Sequence, residues 1–160
     1  MENNISNNTG NPFLMLFLFI LSGRKFSINK IISALQDHSI RGTSLGSSSA
    51  GYTEWNSTLC LDNQTKTGIV YSSSYSDGVK FTLLDKGKEK EANKLFGKLK
   101  KLLDQSRPSG WVDVFQEFEV TGNIYFYLRD RDPNKTKEVR LKLEESFGKY
   151  SVFLWFDVYR

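Results

Sequence analysis

Residues 89–129 read EKEANKLFGKLKKLLDQSRPSGWVDVFQEFEVTGNIYFYLR, and within this stretch the apolar residues change their period. Over Glu89–Asp104, Ala92, Leu95, Phe96, Leu99, Leu102 and Leu103 recur in steps of three and four, which lines one face of an α-helix. Pro108 and Gly110 end that pattern. From Trp111 to Val120, apolar and polar residues alternate. After a Thr121-Gly122-Asn123 turn they alternate again over Ile124–Arg129, the period-two signature of half-buried strands. A turn this short can only join antiparallel neighbours.

The same signals extend in both directions. Upstream, strands are expected at Trp55–Leu61, Gly68–Ser74 and Val79–Leu84, with Asp77-Gly78 as a hairpin turn. Downstream, Asp132-Pro133-Asn134 reads as a turn and Ser151–Tyr159 as the last strand. Residues 138–146 fit two templates. Val139, Leu141 and Leu143 alternate as in a strand, while Val139, Leu143 and Phe147 keep helical spacing; the strand is preferred because Glu138–Glu144 can fold back on Ile124–Arg129. The pattern predicts an α+β fold: a mostly antiparallel sheet of about six or seven strands packed on one long amphipathic helix, after a helical N-terminal region. In that region Ser27 can cap a helix carrying Ile28, Ile31, Ile32 and Leu35 and ending near His38. Residues 39–51, SIRGTSLGSSSAG, have little to bury and read as a Ser/Gly-rich linker. The expected division is thus 1–38, 39–51 and an α+β domain over 52–160.

Nine apolar residues run from Phe13 to Leu21. That is too short to span a bilayer, which takes about 20. Asn11, Pro12 and Gly23 punctuate the run as a buried helix. An export signal within 1–23 is the alternative; against it, Arg24 and Lys25 follow the run and no positive charge precedes it among the side chains. These readings place the chain in the cytoplasm, or outside the cell if 12–23 is an export signal.

Composition excludes some chemistry. The single cysteine, Cys60, permits neither an intrachain disulfide nor a cysteine-based zinc site. His38 is the only histidine and has no nucleophile partner in its neighbourhood. Asp130 and Asp132 alternate with arginines and read as an ion-paired turn. No catalytic residue, metal site or cofactor is assigned; a metal-independent nuclease built from Arg, Lys, Tyr and Glu is retained as a remote option. The net charge of +4 is concentrated in Lys86–Lys101. Within it Lys90, Lys94, Lys98 and Lys101 share one side of the long helix, a solvated face or a contact for phosphates.

Sorting the later strands by face gathers Phe115, Tyr125, Tyr127, Trp155 and Tyr159 together, beside Phe153, Glu117, Glu119, Asp157 and Arg129. Exposed Tyr and Trp supply rigid contact area at interfaces, and the interspersed carboxylates would repel phosphates. The expected function is therefore a non-enzymatic protein-binding domain using this face, with nucleic-acid binding through the helix lysines as the alternative. The order of helix, strands, long helix and Trp-led hairpin resembles that of small bacterial immunity proteins, an analogy of organisation carried by no residue motif. It implies an inhibitor-like binder.

Overall fold

The computed structural model describes residues 27–60, 67–118, 122–131 and 136–160, with side chains for all of these except 60, 67 and 114–118. The apolar run at 13–21, the Cys60 side chain, Glu119 and the Asp132-Pro133-Asn134 turn lie outside what it describes.

The fold is α+β: among the described residues it has one antiparallel sheet of eight strands, where about six or seven were expected, and two helices, the long amphipathic one and one in the N-terminal region. Helix α1 (Ile28–Gln36) leads into β1 (Arg41–Ser47), β2 (Thr53–Cys60), β3 (Thr67–Ser72) and β4 (Ser76–Gly87). Helix α2 (Glu89–Gln105) leads into β5 (Val112–Phe118), β6 (Asn123–Arg129), β7 (Lys137–Ser146) and β8 (Lys149–Tyr159). The sheet order is β1-β2-β3-β4-β8-β7-β6-β5. The chain thus runs twice through a helix followed by a four-strand meander, and the last strands of the two meanders meet at the centre.

Local chemistry explains each element. Ser27 adopts an extended conformation and its side chain accepts a hydrogen bond from the Lys30 amide, capping α1. The first turn of α2 carries Glu89 and Glu91 against the positive end of the helix dipole. Ile28, Ile31, Ile32 and Leu35 from α1, and Ala92, Leu95, Phe96, Leu99 and Leu103 from α2, are all buried. They meet one face of the sheet, whose cross-strand rows are fixed by register: Val70, Val79, Phe156, Val139 and Leu128 in one, Phe81, Leu154, Leu141 and Phe126 in the next. The strand preferred for residues 138–146 is β7, with side chains at 139, 141 and 143 in this core.

Two local expectations are corrected. Residues 41–47, read as linker, form β1, paired with β2 through register shifts. Six of its seven positions are exposed, so it needs only backbone hydrogen bonds to hold as an edge strand and leaves no apolar periodicity to detect. Asp77-Gly78 is not a turn. The reversal lies just before it, where the Ser73 amide donates to the Ser76 carbonyl, and both residues pair within β4. No helix among the described residues is long and apolar enough to cross a membrane.

Candidate interaction face

Among the described residues, the second face of the sheet carries no helix, because both helices share the core with the first. Register sets its rows. One row runs Tyr71, Gly78, Asp157, Glu138 and Arg129; the next runs Ile69, Lys80, Trp155, Arg140 and Tyr127; a third runs Thr82, Phe153, Lys142 and Tyr125. Tyr125, Tyr127, Trp155 and Tyr159 are all half-buried here, as the strand alternation requires.

The aromatics and cations interleave. Lys80 Nζ lies 4.4 Å from the Phe153 ring centroid and 5.2 Å from that of Trp155. The Arg140 guanidinium is 5.1 Å from Trp155, Lys142 Nζ 5.5 Å from Tyr125, and the Arg129 guanidinium 5.8 Å from Tyr127. Tyr125 and Tyr127 stack on each other, centroids 5.8 Å apart and planes 9° from parallel. Each contact is worth about 0.5–1 kcal/mol at a partly exposed site, so their main effect is to hold the side chains in one arrangement.

The acids behave differently. Asp157 and Glu138 are buried. Asp157 accepts from the Tyr71 hydroxyl through Oδ1 and from Arg140 Nη2 at 3.0 Å through Oδ2. Arg129 Nη2 donates to Glu138 Oε2 at 2.6 Å. Burial pushes the Asp157 carboxyl above its ordinary range, against the opposing pull of Tyr71 and Arg140. Burial, then the Asp157 charge, also lifts the Tyr71 phenol above the usual tyrosine range and brings Tyr159 up to about 12. With both oxygens engaged, Asp157 acts as a clamp between β3, β7 and β8. Gly78 makes room for that clamp: a Cβ there would lie 2.4 Å from Tyr71 Cζ and 2.6 Å from Asp157 Oδ1.

Phe115 is registered opposite Phe126, whose ring is in the core, and Val114 opposite Tyr127. The backbone of β5 therefore alternates out of step with the expected grouping of Phe115 and Tyr127, while the Phe115 side chain lies outside what is described. Register also pairs Glu117 with Ile124, in the phase of the core residues Phe126 and Leu128. The residues that sequence reasoning missed are Lys80, Arg140 and Lys142. Each sits at an open-face position of a recognisable strand, but only register reveals that they stand beside the aromatics.

The alternative site is on the other side of the molecule. Lys90, Lys94, Lys98 and Lys101 are exposed along the outer surface of α2. His38 is exposed just beyond α1, in the left-handed region at φ 62°. Among the described residues, no group of three or more His, Cys, Asp or Glu side chains is arranged to hold a metal ion. Comparison with protein-family models, curated protein sequences and solved structures returns no significant match to this chain.

Proposed function

We propose that this chain is a non-enzymatic protein-binding domain whose partner seats on the open sheet face. The observation that supports it is the continuous block of half-buried aromatics and cations, Lys80, Phe153, Trp155, Arg140, Tyr127 and Tyr125, on a face that neither helix covers. Rigid aromatic side chains flanked by arginine are the composition of interface anchors. Stacking of nucleobases fits the same face less well, because it needs free ring faces. Here each of these rings already carries a cation or a neighbouring ring.

The test is capture of the cellular partner. Trp155→Ala combined with Tyr127→Ala should lower its affinity at least a hundredfold, as for two anchors of about 1.5 kcal/mol or more each, while the circular dichroism spectrum stays that of the native fold. Undiminished capture by the doubly substituted protein would remove this face from consideration.

A second reading rests on the exposure of Lys90, Lys94, Lys98 and Lys101 along α2, which would suit sequence-independent contact with phosphates. It predicts binding to duplex DNA with a log-log salt slope of roughly −3 to −4, weakened across unrelated sequences by Lys94→Glu with Lys98→Glu. Salt-insensitive binding would exclude it.

A further inference from the structure

We infer that the partner seated on the open sheet face is an acidic protein segment, and that Lys80 is the anchor for one of its carboxylates. The inference rests on the proposed function and adds the chemistry of the partner.

Two observations carry it. The first is the sorting of charge by depth. Both central carboxylates of the face, Asp157 and Glu138, are sealed at 3% and 6% side-chain exposure, whereas Arg129 and Arg140 keep 45% and 30%. A partner approaching this face therefore meets guanidinium and ammonium groups before it meets any of these acids. Of the other carboxylates along this face, Glu144 is engaged by Lys142, Asp85 accepts from the Ser151 hydroxyl at 3.4 Å, and half-buried Glu54 is registered opposite Tyr71 on β2.

The second is the state of Lys80. Its ammonium rests on the Phe153 and Trp155 rings, half-buried, and among the described residues no carboxylate comes within ion-pairing distance of it. Burial draws its pKa below the ordinary lysine value, against the opposing pull of the Glu144 charge, so the ammonium is partly desolvated and its nearest carboxylate is shared with Lys142. Ring quadrupoles offset only part of that cost. A carboxylate delivered by a partner would meet an ammonium that has already lost much of its water, and the two rings beside it would exclude water from the new pair. Phosphate would satisfy the same charge, but a nucleic-acid strand would also need ring faces that are engaged here.

The Trp155 indole N–H, assigned by comparison with Trp155→Phe, provides the readout in ¹H–¹⁵N spectra of the whole chain. The probes are a short peptide alternating Glu with Val, its counterpart with Lys in place of Glu, and an oligothymidylate of equal length. The Glu peptide should shift the Trp155 signal saturably and the Lys peptide should not. Lys80→Gln should weaken the Glu peptide about tenfold, as for one charge-assisted hydrogen bond, and Lys80→Arg should restore most of it. Equal response to the Lys peptide, no response to the Glu peptide, or indifference to Lys80→Gln would each overturn the inference. A preferential response to oligothymidylate would also overturn it, and would assign the face to single-stranded nucleic acid. The two failures are separable: if capture of the cellular partner requires Trp155 and Tyr127 but ignores Lys80→Gln, the face is correct and the acidic partner is not.

Discussion

Gly78→Ala adds one methyl group to the middle of β4, where strand propensity alone makes alanine the better residue. The structure reverses that expectation. The new Cβ would stand 2.4 Å from Tyr71 Cζ, 2.5 Å from its Oη and 2.6 Å from Asp157 Oδ1. Tyr71 must therefore lift off the sheet, and its hydroxyl leaves Asp157. The carboxylate, buried at 2% exposure, then keeps only Arg140. An abandoned buried acceptor costs roughly 1–3 kcal/mol, and overpacking adds about 1–3 kcal/mol. Because movement of Tyr71 relieves part of the clash, the two overlap, and a total of about 2–4 kcal/mol is expected. In a chain of this size that lowers Tm by about 5–15 °C. Urea unfolding of wild type, Gly78→Ala, Tyr71→Ala and the double variant checks the mechanism as well as the magnitude. With the ring removed, the cost of Gly78→Ala should fall by at least half, since only Asp157 remains in the way. A Gly78→Ala protein within about 0.5 kcal/mol of wild type, or one whose loss is undiminished in the Tyr71→Ala background, would refute the clamp.

Asp77 accepts from Arg160 Nη2 at 2.6 Å, from Arg41 Nη2 at 3.2 Å and from Ser72. Burial works against its charge, but these partners outweigh it and hold the carboxyl below its usual value. The resulting stability is present above the unfolded pKa of about 3.9 and is lost as pH falls through the lower folded value; Asp77→Asn should thus destabilise at neutral pH, with the difference from wild type closing below about pH 4 in pH-dependent urea midpoints. Phe147 is fully exposed at φ 50° in the β7–β8 turn, so Phe147→Gly should stabilise by about 0.5–1 kcal/mol in the same assay, the ring losing no packing. Ser27→Ala should cost about 1 kcal/mol by removing the cap of α1. Ultraviolet titration of the tyrosines should lose a component ionising near 12 on Tyr159→Phe.

Much of the architecture was legible because it depends on local period. The step from four-residue to two-residue spacing after Asp104 marks the end of α2 within one residue of where it lies, and Ser27 starts α1 where a capping serine should. What escaped detection has no period. Edge strand β1 buries almost nothing, so RGTSLGS looks the same whether it pairs or not. Asp77-Gly78 carries the composition of a tight turn, yet its glycine is there to admit a ring from the neighbouring strand, a demand that comes from Tyr71 across the sheet.

The electrostatics of the candidate face escaped for a related reason, and here the omission changes the chemistry. Read along β8 alone, Phe153, Trp155, Asp157 and Tyr159 place a carboxylate among aromatics, and such a face repels anions. Whether the charge reaches solvent is decided by residues far away in sequence. Tyr71 from β3 and Arg140 from β7 converge on Asp157, and Arg129 from β6 covers Glu138, so the acids lie beneath the guanidinium groups that neutralise them. Period two assigns each residue to a face but is silent about depth within it. Depth leaves the guanidinium groups of Arg129 and Arg140 outermost at the centre of this face and Asp157 and Glu138 beneath them. Under the proposed function, that depth favours a partner of the opposite charge to the one that strand sequences alone suggest.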